Sequence, residues 1–152
     1  MNSIKFKKLN SDAIIPSYKT SGAAGMDICS LVDATIRPGH VEVISTGLSA
    51  EIPEGYELQV RSRSGLAMQR MVVVNSPGTI DSDYRGEIKI IITYLRGPDY
   101  PFETVGNAFN LYKGDRIAQL VLAKVDKLPI EEVEELSETE RGEGGLGSTG
   151  LQ

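Results

Sequence analysis

Apolar residues in this chain come in short runs rich in Val and Ile, interrupted by Gly, Pro, Ser or Asp roughly every ten positions, and helical spacing is scarce. That pattern predicts an all-β fold, a sandwich or barrel, with strands over Ile4 to Leu9, Met26 to Leu31, His40 to Ser45, Tyr56 to Arg61, Met71 to Val74, Glu87 to Leu95, Asn107 to Tyr112 and Ile117 to Val125. Turns are expected at Arg37-Pro38-Gly39, Pro53-Glu54-Gly55, Ser76-Pro77-Gly78, Arg96-Gly97-Pro98 and Lys113-Gly114-Asp115. Two stretches invite a helix. Ser64 to Arg70 predicts one or two turns with Ser64 as cap, which would present backbone amides to an anion. Pro129 to Leu136 reads equally as a strand or an extended acidic arm.

The run Ile88-Lys89-Ile90-Ile91-Ile92-Thr93-Tyr94 is apolar on both alternating faces. Either the strand is buried on both sides within one subunit, or a second copy covers the outer face.

Length and charge narrow the classes. A chain of 152 residues predicts one domain over 1–152, and no apolar run is long enough to span a bilayer. The N-terminus lacks an apolar core between its charges and Cys29 stands alone, so neither a secretory signal nor an intramolecular disulfide is expected. A cytoplasmic address follows as the default, a nuclear or viral-host context staying open. The net charge of −5 argues against a nucleic-acid-binding surface, which gains affinity from clustered Lys and Arg. Much of the acidic excess lies in Glu131 to Glu140, an acidic connector over 129–140 that leads into the tail 141–152. His40 follows Pro38-Gly39 in a turn, and no His, Cys and carboxylate spacing suggests zinc, so any metal must be held by carboxylate.

The tail Arg141-Gly142-Glu143-Gly144-Gly145-Leu146-Gly147-Ser148-Thr149-Gly150 carries five glycines. Glycine lets backbone amides form donor nests for anions, and Ser148, Thr149 and Arg141 add phosphate donors. The same composition suits a flexible linker-like end. Four further segments carry candidate chemistry. Gly25-Met26-Asp27 sets a carboxylate at a strand start. Arg61-Ser62-Arg63-Ser64-Gly65 offers a phosphate clamp ahead of the helix. Asn75 to Glu87 is the densest polar cluster, otherwise a long hairpin loop, and Gly114 to Gln119 puts two charges and an amide at the start of an apolar strand.

Taken in order, these five segments closely resemble the five motifs of the homotrimeric dUTPase family, from about Lys19 to Gly150, most specifically in Gly78-Thr79-Ile80-Asp81-Ser82-Asp83-Tyr84-Arg85-Gly86 and in the tail. The resemblance implies the family's jelly-roll-like β-barrel, the β-clip fold, with one short helix and a flexible Gly-rich C-terminal arm. It implies hydrolysis of dUTP to dUMP and pyrophosphate by water attack on the α-phosphorus, keeping uracil out of DNA and supplying dUMP for thymidylate synthesis. Asp81 would be the general base for the water. Asp27 would hold Mg2+ through coordinated waters, Arg63, Ser64, Gly65 and Gln119 would line the α- and β-phosphates, and Arg141, Ser148 and Thr149, with Gly147, would close over the γ-phosphate. Backbone groups near Ile80 and between Gly86 and Ile90, Lys89 among them, would pair with uracil, with Asn75 nearby, and Tyr84 would exclude a ribose 2′-hydroxyl.

Where most members of the family carry a tail aromatic that stacks on uracil, this chain has Leu146, which implies retained activity with weaker coupling of base binding to flap closure. The family also implies a homotrimer whose sites take the Asp27, Arg63 and Gln119 segments from one subunit, the Asp81 hairpin from a second and the tail from a third. Two alternatives stand beside it. A dCTP deaminase on the same fold relies on a hairpin glutamate and lacks the pair that Asp81 and Tyr84 form here; a dUTP-responsive regulatory protein would keep the motifs for binding.

Overall fold

Short β-branched runs between turn residues form strands nearly everywhere the pattern predicts. The structure is a computed structural model that describes residues 3–97 and 108–145. The strands are β1 (Lys5–Lys8), β2 (Ser17–Tyr18), β3 (Met26–Cys29), β4 (Ala34–Ile36), β5 (Val41–Ser45), β6 (Leu48–Glu51), β7 (Tyr56–Arg61), β8 (Met71–Val73), β9 (Gly78–Ile80), β10 (Lys89–Tyr94), β11 (Phe109–Leu111) and β12 (Arg116–Lys124), with one helix, α1 (Ser64–Ala67). All eight predicted strands are present with ends moved by a residue or two, though Asn107 lies outside the described residues. The strands missed by pattern are β2, β4, β6 and β9, each of two to four residues. Runs that short carry too few alternations to register as a period. In particular, Gly78–Ile80 is a paired strand inside what reads as a polar loop.

Four sheets share one core. The five-stranded sheet runs β2-β3-β12-β7-β9, the three-stranded sheet β5-β10-β8, and β1-β6 and β11-β4 form two-stranded pairs. Ile28, Leu58 and Leu120 of the largest sheet meet Ile44, Ile90 and Ile92 of the second, with Leu48, Ile36 and Leu111 from the pairs, in a single buried cluster. Alternation does the sorting: Leu58 and Val60 point into the core, while Glu57, Gln59 and Arg61 stand on the opposite, polar face of β7.

The two-sided apolar strand resolves in one direction. Ile90 and Ile92 are buried, but Ile91 on the outer face is half-buried beside exposed Val43, and Val41 is exposed as well. Burial of both faces within one subunit does not occur.

The helix differs in detail from expectation. Its N-cap is Arg63, with φ −88° and ψ 134° and no side-chain cap bond, and Ser64 is already helical. Arg63 is the extended residue, its guanidinium drawn back to Asp27 and the Arg116 carbonyl, so the helix starts one residue earlier than a Ser64 cap would give. Pro129 to Leu136 has no regular helix or strand and is exposed throughout, the extended arm among the three options. No helix of the described residues is long and apolar enough to cross a membrane.

Candidate active site

Strand register gathers the phosphate-binding candidates on the polar face of the five-stranded sheet. Gln119 on β12 lies opposite Asp27 on β3 and opposite Arg61 on β7. Gly25 is needed there, since a Cβ would come within 3.3 Å of the Val121 side chain and 3.4 Å of the Gln119 amide oxygen. The Asp27 side chain is only 9% exposed, and both its oxygens are engaged: Arg63 Nε donates to Oδ1 at 3.0 Å and an Arg116 guanidinium N–H donates to Oδ2 at 3.0 Å. A buried carboxylate is tolerated only with such partners. Arg63 Nη1 also donates to the Arg116 carbonyl at 2.8 Å, which fixes the guanidinium plane and leaves Nη2 without a partner among the described residues. Ser64 and Gly65 are exposed at the start of α1, ahead of the first intrahelical donor, Leu66, so their N–H groups are open to an anion. Arg116, read from the sequence only as one of two charges in the Gly114 to Gln119 segment that pair with neighbours, turns out to be paired with Asp27.

The base-binding candidates gather on the hairpin after β9. A cavity of about 290 Å³ is lined by Asn75, Ile80, Asp81, Tyr84 and Lys89, with Val43, Val60 and Ile91 as apolar walls. Asp81 is exposed and closes a turn, its carbonyl accepting from the Tyr84 N–H at 3.1 Å. The Tyr84 hydroxyl donates to the Glu87 carbonyl at 3.0 Å, and the ring lies over Gly86, where any Cβ would collide with it. Asn75 packs on Gly78 in the same way, leaving 2.8 Å between its Nδ2 and a hypothetical Cβ. Arg85 donates to the Ser82 and Tyr84 carbonyls at 2.6 and 3.0 Å and so clamps the turn.

A carboxylate outside the expected set anchors this half. Glu87 accepts from Ser45 Oγ at 2.7 Å and from the Gly47 N–H at 2.9 Å, with Lys89 Nζ 3.8 Å away. Burial works to raise the Glu87 carboxyl, but the bonds from Ser45 and Gly47 and the Lys89 charge outweigh it and hold the group below the usual carboxylate range. The available signal was a lone acidic residue between Gly86 and the buried run from Ile88, a place where a carboxylate must find donors.

The structure does not bring the two halves together within one chain. Arg61 is level with Gln119, whereas Ile80 pairs with Leu58, so Asp81 lies beyond it toward Glu57, at the other end of β7. Four residues at about 3.3 Å and two strand spacings of about 4.8 Å put Asp81 on the order of 16 Å from Gln119. Arg63, past the end of β7, belongs to the far end as well. A general base must lie within about 3 Å of the water it deprotonates, so a backbone separation of this size leaves a gap between the two groups of candidates within one copy.

A larger hollow of about 870 Å³ opens on the other side of Asp81, lined by Glu51, Glu54, Glu57 and Asp83 with Arg85 and Lys127. Its excess of carboxylates disfavours a triphosphate, which makes the smaller cavity the candidate for the nucleotide. Arg141 is exposed, and its Nε donates to the Gly144 carbonyl at 2.8 Å. Leu146, Gly147, Ser148 and Thr149 lie outside the described residues.

Metal holding can be tested on the same geometry. Among the described residues no three His, Cys, Asp or Glu side chains converge. One carboxylate, already bonded to two guanidiniums, is no preformed metal cage. It does fit a hydrated magnesium ion that arrives on phosphate oxygens, since this ion keeps several waters and takes one or two carboxylates beside a nucleotide.

Comparison with known proteins agrees with the fold. The family described as dUTPase matches residues 11–150. The deoxyuridine 5'-triphosphate nucleotidohydrolase of Nautilia profundicola is 52% identical over 148 residues, 97% of this chain and 98% of that protein. Its counterpart in Hydrogenobaculum sp. is 49% identical over 148 residues, 96% of each chain. Among solved structures, a mutant dUTPase of Staphylococcus bacteriophage 80alpha with dUpNHpp superposes with a TM-score of 0.87 at 31% identity, over 99% of this chain and 100% of that one. A mutant dUTPase from phage phi11 of S. aureus, described for its coordination of a structural Mg(II) ion, gives a TM-score of 0.78 at 26% identity, over 90% of this chain and 100% of that one. The chain belongs to the dUTPase family: it is a dUTP-hydrolysing enzyme on the β-clip jelly-roll fold.

Proposed function

We propose that the protein converts dUTP to dUMP and pyrophosphate as a homotrimer, each active site joining the base half of one copy, the phosphate half of a second and the tail of a third. Residues 1–152 form one domain in this reading, with 141–152 as its phosphate-binding flap. The observation that supports it is the separation of Asp81 from Gln119 and Arg63 along β7, which a second copy would remove. The arm supports it too: its apolar residues Leu128 and Leu136 are each 86% exposed and Ile130 is fully exposed, uncovered among the described residues.

Uracil enters the cavity under Ile80 and meets backbone groups of Gly86 to Ile90. Cytosine presents the inverted donor and acceptor pattern, leaving buried groups unpaired at about 1–3 kcal/mol each. Tyr84, whose ring lies over Gly86, would stand against the deoxyribose and exclude a ribose 2′-hydroxyl. Asp81 orients and deprotonates a water for attack on the α-phosphorus; the bond from that phosphorus to the bridging oxygen breaks, and pyrophosphate leaves with the electron pair. Arg63 Nη2, the Ser64 and Gly65 N–H groups and the Gln119 amide hold the α- and β-phosphate oxygens as charge builds on them. Arg141, Ser148, Thr149 and Gly147 close on the γ-phosphate, and Leu146 covers the base. Bound Mg2+, held by Asp27 through water, would supply charge neutralisation across the three phosphates. An intracellular nucleotide as substrate fits a cytoplasmic enzyme, with a nuclear or viral-host context left open.

The deaminase and purely regulatory alternatives are not favoured. A deaminase glutamate must take up and release a proton near neutrality, and Glu87 is held ionised by its donors. A steady-state assay with Mg2+ against dUTP, dCTP, UTP and dTTP, following pyrophosphate and ammonia, tests the reading. Pyrophosphate from dUTP alone is expected; ammonia from dCTP, or binding without turnover, would overturn it.

A further inference from the structure

Glu87 touches none of the reacting atoms, yet it is the best-anchored carboxylate of the base half. The backbone ladder between β5 and β10 ends at Lys89 opposite Ser45. Beyond that pair, side-chain bonds and one backbone bond continue the joining. Thr46 Oγ1 donates to the Ile88 carbonyl at 2.5 Å, the Ile88 N–H donates to the Leu48 carbonyl at 2.7 Å, and the Glu87 carboxylate accepts from Ser45 and from the Gly47 N–H. The corner it grips is closely packed. Gly47 has φ +67°, and a Cβ there would approach the Leu31 side chain to 2.9 Å and Ala13 to 3.1 Å. The other end of the same residue holds the sugar side of the pocket, because the Glu87 carbonyl is the acceptor for the Tyr84 hydroxyl. Glu87 therefore connects a fixed corner to the residue that faces the sugar and to the backbone that faces the base, and it lines the same cavity.

We infer that Glu87 is a positioning residue for substrate selection: its carboxylate holds the Tyr84 to Lys89 segment in the register that admits deoxyuridine and refuses the ribonucleotide. The inference rests on the dUTPase reading above. Without the carboxylate the Gly47 amide loses its acceptor and the hairpin loses its grip on the corner, so Tyr84 is free to give way. Asp81 precedes this segment and keeps its turn bond to Tyr84, so turnover at saturating substrate should suffer less than recognition.

The test is the kcat and KM of the full-length wild type, Glu87→Ala, Glu87→Gln and Ser45→Ala for dUTP and for UTP, with melting temperatures alongside. The expected result is a tenfold or greater fall in the dUTP to UTP ratio of kcat/KM for Glu87→Ala, carried mainly by KM for dUTP. Glu87→Gln, which keeps an oxygen acceptor, should recover most of that ratio, and Ser45→Ala should shift it in the same direction by a few fold. An unchanged ratio in folded Glu87→Ala, with only a lower melting temperature, would overturn the inference and reduce Glu87 to a structural role. Should Glu87→Ala not fold, an unchanged ratio in Ser45→Ala overturns it and a lowered one supports it. A wild type that fails to prefer dUTP would overturn the underlying reading instead, and the inference with it.

Discussion

The phosphate half and the base half of the active site sit on the same sheet system but are built differently. Asp27, Gln119 and Arg61 stand in one row because three regular strands bring them level, and Arg63 and Arg116 are then fixed by a carboxylate that is 9% exposed. Around Asp81 the arrangement depends on a turn, a ring lying on Gly86, and side-chain bonds that replace a ladder where β10 ends. Charge recognition needs a few rigid cations and donors, which strand register supplies directly. Telling uracil from cytosine and deoxyribose from ribose needs backbone groups and a tight wall, which regular strands cannot offer because their N–H and C=O groups are already paired.

That contrast predicts unequal responses to damage. Asp81→Asn keeps the shape of the base half while removing the base that activates water, so kcat should fall about 10²–10⁴-fold with KM for dUTP little changed, read in a steady-state assay. Arg63→Ala removes a charge-assisted contact worth about 1.5–3 kcal/mol, so kcat/KM should fall about 10- to 150-fold, and affinity for dUMP, which lacks the β- and γ-phosphates, should move less. Equal losses for dUTP and dUMP would break the division between halves.

Acid should loosen the base half before neutral pH affects it. Glu87 titrates below its unfolded value of 4.5, so its contribution to stability is full well above that pH, begins to fade near it, and is lost as the pH falls through its depressed pKa. Melting temperatures of wild type and Glu87→Gln should therefore converge as pH drops from 6 toward 3. A gap that persists unchanged at low pH would contradict the assignment. The smallest effect is expected from the tail: Leu146→Phe restores a ring able to stack on uracil, worth about 1 kcal/mol or more, and should lower KM or raise kcat about 5-fold. No change in either would mean that the tail does not cover the base.

Legibility in the sequence followed the same division. Long strands such as β7, β10 and β12 were visible because alternation over six to nine residues is a strong signal. The motif residues were visible as types, and five of those named for the base half do line one cavity. What could not be read was partnership. Arg116 and Glu87 are ordinary charges in sequence, and their importance comes from contacts 89 and 42 or 40 positions away. The extended cap at Arg63 was hidden for the same reason, since the pull on its side chain comes from Asp27, 36 positions back.

The central claim is that one active site needs two copies of the chain, and mixed trimers test it most directly. As pure trimers Asp81→Asn should be nearly inactive and Arg63→Ala weaker than wild type by about 10- to 150-fold. Unfolded together and refolded as a random mixture, they should regain activity, because about a quarter of the sites then pair an intact Asp81 from one copy with an intact Arg63 from another. If the mixture is no more active than its two parents while trimers have demonstrably exchanged subunits, the site lies within a single chain and the account is wrong.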